Sequence, residues 1–301
     1  MKLLFFSQSN WSIPSISELA KSHEILGVVT FLKGERSNPF LLSFLEKRNI
    51  KALSWEDVKS SLNDDELANS DLGISFGFSS KIPKEIYAKI SKGVLNVHFG
   101  KLPKYAGPAP LFWTIKNMEK SLSISFHIIN EDWDAGELLL EEELPIFPGE
   151  PFGLLGSRAS LLSSQKLDNL LRTFEGNVPE ILEVNFTPLK RPSDIDLTID
   201  WKKQSADEIE ALINASNPAY GGAISSFRGS PIRILEVSPA EANINGIFAP
   251  GSVVYSDPQY GIFVICGDNK HLRINILQLE GTVLSGQKLA ALGVRVYEKF
   301  E

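Results

Sequence analysis

Gly93-Val-Leu-Asn-Val-His-Phe-Gly-Lys-Leu-Pro-Lys-Tyr-Ala-Gly107, followed 27 residues on by Asp134-Ala-Gly136, is the stretch from which this 301-residue chain is read. Its first part is a short apolar run of strand length, and the two-residue period of a strand delivers Asn96 and His98 to one face. Pro103, Gly107, Pro108 and Pro110 punctuate the loop that follows. Asp134 stands just ahead of a glycine turn. An amide donor, an imidazole and a carboxylate at strand ends are what acyl transfer to an amine requires. One group polarises a carbonyl, one handles a proton, and one sets the charge of the histidine.

Working outward, Lys2–Phe6, Leu26–Phe31, Leu72–Phe78 and Gly93–Phe99 read as strands. Ile16–Ser22, Phe40–Arg48 and Lys84–Ile90 read as the helices between them. This alternation predicts an α/β domain with a doubly wound, mostly parallel sheet, and ligands in such sheets sit beyond the carboxyl ends of the strands, where His98 lies. Ser121–Ile129 and Glu137–Pro145 are a later strand pair flanking Asp134, and Leu154–Glu175 is the longest helical pattern. After about Phe186 the composition changes. We expect a catalytic domain over 1–186, a linker and the start of a second domain over 187–205, and a β-rich domain over 206–301. Within the last, Ala206–Ala215 reads as a helix. Short strands at Ala223–Phe227, Ile232–Val237, Gly251–Tyr255, Gly261–Cys266 and Leu272–Leu279, separated by glycine and proline turns, suggest a smaller antiparallel, OB-like β-barrel.

Composition narrows the classes. Hydrophobic residues make up 43% and charged residues 22%, as in an ordinary globular protein. No run approaches a membrane span, and Leu3–Phe6 is too short for a signal-peptide core, so the expected location is the cytoplasm. The single cysteine, Cys266, flanked by Val264-Ile265 and Gly267, excludes an internal disulfide and reads as a small buried hydrophobe. Four scattered histidines do not make a metal site. The loop after the first strand, Ser7-Gln-Ser-Asn-Trp-Ser-Ile-Pro14, carries no Gly-x-Gly-x-x-Gly, which removes the dinucleotide-binding reading. His127, with Ser125 on the same strand, reads as a packed strand histidine, sharing the neighbourhood of His98 only if the two strands are adjacent.

Asn96-Val-His98, Leu102-Pro-Lys-Tyr-Ala-Gly107 and Asp134-Ala-Gly136, in this order and spacing, resemble the formyltransferases that use 10-formyltetrahydrofolate. The segment from Ser121 to Asp134 aligns with that family without a gap. Ile199-Asp-Trp201, Asn217-Pro218, Pro250-Gly251 and Cys266-Gly-Asp268 resemble the carboxyl-terminal domain of methionyl-tRNA formyltransferases and of related sugar-nucleotide formyltransferases. The resemblance implies a Rossmann-like catalytic domain, 10-formyltetrahydrofolate as donor, no metal, and attack by a primary amine on the formyl carbon. It makes Asn96, His98 and Asp134 catalytic. Asn96 and His98 would meet the oxyanion, Asp134 would raise the pKa of His98, and either His98 or Asp134 would take the amine proton. It places the folate against Phe76, Gly77, Phe78 and Ile82 on one side and Leu102, Asp132 and Trp133 on the other. For Phe76 and Phe78, ordinary core packing is the competing assignment.

The acceptor is read from departures within that resemblance. Methionyl-tRNA formyltransferases usually carry a basic insertion after the second strand and an arginine in the Leu-Pro loop. Here the segment after Thr30 is short, Phe31-Leu-Lys-Gly-Glu-Arg-Ser-Asn-Pro39, and the arginine position holds Ala106. From Lys190 to Glu301 there are 11 Lys plus Arg against 13 Asp plus Glu, and the whole chain carries a net charge of −7. A tRNA acceptor needs a basic surface. The expected partner is therefore a small amine such as a nucleotide-linked amino sugar, with initiator methionyl-tRNA as the alternative. Glycinamide ribonucleotide formyltransferase fits less well, because the second domain would be superfluous. A folate-binding relic without turnover has no need of all three catalytic residues. No segment stands out as an oligomer interface.

Overall fold

A computed structural model of the protein describes residues 1–60, 65–174, 187–241 and 246–301. The chain falls into two compact units, Met1–Pro110 with Ser121–Pro145 and Gly156–Lys190, and Leu111–Lys120 with Ile146–Leu155 and Arg191–Glu301.

In the first unit the strands are β1 (Lys2–Phe6), β2 (Glu24–Thr30), β3 (Ala52–Ser54), β4 (Leu72–Phe76), β5 (Val94–His98), β6 (Ser121–Ile128) and β7 (Leu138–Pro145). They form one sheet in the order β3-β2-β1-β4-β5-β6-β7. The first five positions are parallel, and β6 and β7 are added antiparallel. Leu3, Leu4, Phe5 and Phe6 of the central β1 are all fully buried, as a strand covered on both faces requires. The helices are α1 (Ile13–Leu19), α2 (Pro39–Lys47), α3 (Trp55–Ser60), α4 (Asp65–Ala68) and α5 (Lys84–Tyr87), while α6 (Pro110–Lys116) falls in the second unit save for Pro110 and α7 (Phe152–Thr173) belongs to the first from Gly156 onward. On one face Leu4, Phe6, Val29, Trp55, Ile86 and Val94 belong to a single apolar cluster. Each fully buried Leu, Ile or Phe contributes roughly 1.5–3 kcal/mol.

The sequence places β4 through Phe78, but the strand stops at Phe76 because Gly77 turns to φ +61°. The Lys84–Ile90 helix is shorter than expected, ending at Tyr87, and a turn through Gly93 at φ +73° leads into β5. Asn38 caps α2, its Oδ1 accepting from the Phe40 and Leu41 amides. Glu175, the expected end of the longest helix, lies outside the described residues.

The second unit adds α8 (Asp194–Leu197), α9 (Ala206–Ser216) and α10 (Gly286–Ala291) to strands β8 (Ala223–Phe227), β9 (Ser230–Ala240), β10 (Val253–Asp257), β11 (Gly261–Ile265), β12 (His271–Leu279) and β13 (Thr282–Ser285). The sheet runs β10-β11-β12-β9-β8, with β13 on β12, and is antiparallel throughout. The chain end joins its two edges. The Ser226 amide donates to the Glu301 carbonyl at 2.7 Å on the β8 side, and the Phe300 amide donates to the Gly251 carbonyl at 2.8 Å on the β10 side. Bonding on both flanks closes the sheet and leaves no bare edge there. Among the described residues, no helix is long and apolar enough to cross a membrane.

One close approach inside the first unit is decisive for α7. A Cβ on Gly156 would lie 2.1 Å from Cζ2 of Trp11, whose ring centroid is 5.5 Å from that of Phe99. The Ser160 hydroxyl donates to the Trp11 carbonyl at 2.6 Å. Gly156→Ala gains about 1 kcal/mol of helix propensity, yet the rigid indole has to move, and overpacking costs roughly 1–3 kcal/mol. We expect a net loss of stability, read as a lower urea midpoint at unchanged slope. A midpoint equal to or above that of the wild type would contradict this packing.

Candidate active site

Parallel β5 delivers Asn96 and His98 to one face of the sheet near its carboxyl end. Antiparallel β6 sets His127 opposite Asn96 and Ser125 opposite His98. The strands are thus adjacent, and His127 joins the group instead of packing elsewhere. Asp134 arrives from the turn after β6 with φ +52°. That turn is held internally, since Asn130 Nδ2 donates to the Ala135 carbonyl at 3.1 Å and Asn130 Oδ1 accepts from the Asp132 amide at 2.9 Å. Gly136 is required for closure, because a Cβ there would lie 1.6 Å from the Ile128 carbonyl oxygen.

Three side chains converge on one oxygen. Oδ1 of Asp134 is 3.5 Å from His98 Nδ1, 3.5 Å from His127 Nε2 and 3.5 Å from Asn96 Nδ2. Its other oxygen, Oδ2, accepts from the Gly107 amide at 2.8 Å. The residues that the sequence singles out as catalytic thus come together, and a fourth, His127, is added.

The protons of His98 follow from its partners. Nε2 lies 2.8 Å from the Tyr105 carbonyl, which can only accept, so Nε2 carries a hydrogen. The titrating nitrogen is therefore Nδ1, the one that faces Asp134. Burial holds the His98 pKa below its ordinary 6.5, the approach of Asp134 and the Tyr105 bond only partly opposing it, and His127 adds to the lowering. Asp134 does push the pKa of His98 upward, as expected, but removing the imidazolium from water outweighs one carboxylate and the net shift is downward. For Asp134, burial pushes the carboxyl up, but His98, the His127 contact and the Gly107 amide together bring it below its ordinary 3.8. At neutral pH the site holds a carboxylate beside a neutral imidazole.

The Leu-Pro loop is fixed from two sides. Ser125 Oγ donates to the Gly100 carbonyl at 2.8 Å, and the Leu189 amide donates to the Ala106 carbonyl at 2.8 Å. Gly107 has φ +119°, and a Cβ on it would lie 2.2 Å from the Leu189 oxygen. Of the residues expected around a folate, Phe76 and Ile82 are core, 2% and 5% exposed. Phe78 is half-buried, its ring 5.7 Å from that of Phe31 and 5.1 Å from that of Trp55. Gly77 closes on Ser9, where a Cβ would meet the Ser9 Cβ at 2.5 Å. Leu102 is half-buried in the loop, and Asp132 is exposed. Trp133, next to Asp134, leaves 48% of its surface open. Phe78 thus packs with Phe31 and Trp55 against the apolar cluster to which Ile82 belongs, and Trp133, the neighbour of Asp134 in the chain, is the exposed apolar side chain of the group. Among the described residues, no cluster of three His, Cys, Asp or Glu could hold a metal ion.

Comparison with known proteins matches residues 34–167 to the formyl transferase family and residues 193–291 to the formyl transferase C-terminal domain. The methionyl-tRNA formyltransferase of Fusobacterium nucleatum is 30% identical over 252 residues, covering 78% of this chain and 79% of its own. Among solved structures, an N-formyltransferase from Helicobacter canadensis, in complex with folinic acid and dTDP-3-aminofucose, superposes with a TM-score of 0.65 at 18% identity. That alignment covers 91% of this chain and 98% of the other. HypX from Aquifex aeolicus, solved with tetrahydrofolic acid, gives a TM-score of 0.68 at 19% identity over 98% of this chain. The chain spans only 48% of the length of HypX.

The site makes stability depend on pH in a defined direction. His98 resists protonation in the folded state, so between its ordinary 6.5 and its lower folded value the unfolded chain binds more protons. Stability from this group is present above pH 6.5 and is lost as pH falls below it. Asp134, also lowered, adds a loss that begins only near its ordinary 3.8. His23 and His271 shift in the same direction as His98. The measurement is therefore the difference between wild type and His98→Gln in urea unfolding from pH 7.5 to 5. The wild type should lose more stability on acidification, and equal losses would mean that His98 titrates as in water.

Proposed function

The chain belongs to the formyl transferase family, and from that premise we propose that it passes a formyl group from 10-formyltetrahydrofolate to a small primary amine, such as that of a nucleotide-linked amino sugar. The chain is a formyltransferase, an enzyme with a folate-type donor. What carries the assignment of roles is the convergence of Asn96 Nδ2 and His98 Nδ1 beside one carboxylate oxygen. An Asn96 N–H donates to the formyl oxygen as negative charge develops there. His98, neutral and with Nδ1 free of hydrogen, receives the proton that the amine must lose when it bonds to carbon. Asp134 stabilises the imidazolium so formed, and the proton is then available to the departing folate nitrogen. Transfer is direct, and no side chain of the enzyme carries the formyl group.

Three observations support the small-amine reading. The Leu-Pro loop has Ala106, 1% exposed, where a cationic side chain would be wanted for a polyanion. The connection from β2 to α2, from Phe31 to Asn38, contains two bases and one acid. The chain from Lys190 to Glu301 has no excess of positive charge. A tRNA acceptor is the second reading. It is favoured by the Fusobacterium nucleatum relative, a methionyl-tRNA formyltransferase that matches most of the chain.

The test is tetrahydrofolate release from 10-formyltetrahydrofolate, followed spectroscopically with a panel of nucleotide-linked amino sugars and, in parallel, with initiator methionyl-tRNA. We expect turnover with a sugar, and a loss of most of kcat in Asn96→Ala, His98→Ala and Asp134→Ala, each still folded. Turnover with tRNA alone, steeply dependent on salt, would overturn the small-amine reading. Near wild-type kcat in any of the three variants would overturn that residue's role.

A further inference from the structure

His127 has no part in the proton transfer above, yet it is the most buried ionisable side chain of the site, 1% exposed. We propose that His127 is a positioning residue that locks the Asn96 amide in its donating orientation. Its bare Nε2 accepts one hydrogen of Asn96 Nδ2 at 3.0 Å, so that the other is held on the side of Asp134 Oδ1, which stands 3.5 Å away at the edge of the reaction centre. The inference rests on the reading of Asn96 as donor to the formyl oxygen.

His127 Nδ1 is 3.2 Å from the Ile128 oxygen, which only accepts, so the ring hydrogen sits on Nδ1. A neutral imidazole with that tautomer has a lone pair at Nε2. Asn96 Nδ2 lies 3.0 Å from Nε2 and donates to it. The two orientations of an asparagine amide are almost equal in shape and differ only in which end is the donor. Turned over, Asn96 would press its carbonyl oxygen against the Nε2 lone pair and would face the substrate oxygen with an acceptor's environment around it. The Ile128 carbonyl thus fixes the tautomer, the tautomer fixes the amide, and the amide presents a hydrogen to the formyl oxygen.

The backbone aims His127 for this task. Asn96 and His127 are cross-strand partners in the β5–β6 ladder, whereas the β6–β7 ladder slips between Phe126 and His127. Irregularities of this kind re-aim a side chain. The 3.5 Å approach of Nε2 to Asp134 Oδ1 offers no attraction while Nε2 is bare. The hydrogen bond to Asn96 is therefore the contact that defines its role.

Two replacements divide the ring between its nitrogens. His127→Gln keeps an acceptor at the position of Nε2 and gives up the bond to Ile128. His127→Asn keeps a donor toward Ile128 and gives up the acceptor. In formyl transfer from 10-formyltetrahydrofolate to hydroxylamine, a small amine probe, we expect His127→Gln to keep kcat within about 10-fold. His127→Asn should lose about 100-fold, the scale of a lost oxyanion donor, with KM for the donor unchanged. In the Asn96→Ala background, His127→Asn should cost little more. The opposite ranking of Gln and Asn, or an equal 100-fold loss in the Asn96→Ala background, would overturn the proposal. Imidazole 15N NMR on the wild-type protein supplies a readout independent of turnover. His127 must be the neutral Nδ1–H tautomer, and the Nε2–H form or an imidazolium at pH 7 would equally overturn it. Full activity of Asn96→Ala alone would instead sink the reading of Asn96, a separate failure.

Discussion

A carboxylate that is nearly out of reach of water must find hydrogen-bond donors or give up its charge. Asp134 meets that demand with the Gly107 amide on Oδ2 at 2.8 Å and with the Asn96 amide 3.5 Å from Oδ1, while the two imidazoles stand beside Oδ1 with their unprotonated nitrogens. Each of these neighbours is then tied to something else. Asn96 is tied to His127, His98 to the Tyr105 carbonyl, and Gly107 to the loop held by Leu189. The left-handed backbone at Asp134 and the side-chain-free contact of Gly136 with Ile128 follow from the need to bring the carboxylate to that point. Strained backbone of this kind is tolerated where the surroundings over-determine it.

The same arrangement explains why the histidine works neutral. In water a neighbouring carboxylate would raise an imidazole pKa. Inside this site burial dominates, and His98 keeps a free Nδ1 lone pair at neutral pH. The carboxylate contributes most after proton transfer, when it faces an imidazolium. It acts on the state that forms during the reaction more than on the resting one, which is how a charge assists turnover.

Much of this was legible in the sequence, for local reasons. Asn96 and His98 share a face because a strand has period two, and Asp134 precedes a glycine that only a tight turn explains. The alternation of strands and helices gave the parallel part of the sheet. What escaped depends on contacts distant in sequence. His127 is separated from Asn96 by 31 residues, and only the antiparallel pairing of β5 with β6 makes them neighbours. The closure of the second sheet by residues 298–301 has no local signature. The short helix α6 begins at a proline in a stretch that reads as loop punctuation. The direction of the His98 shift also escaped, since burial is a property of the folded neighbourhood and not of a motif.

The Asp134 carboxylate organises a neutral His98 whose titrating nitrogen faces it. Imidazole 15N NMR of the wild type and of Asp134→Asn, across pH 5 to 8, tests this most directly. We expect His98 to be the Nε2–H tautomer with a pKa below 6.5 in the wild type, and lower still once the carboxylate becomes an amide. A His98 that is already protonated at pH 7, or whose titration is indifferent to Asp134→Asn, would contradict it.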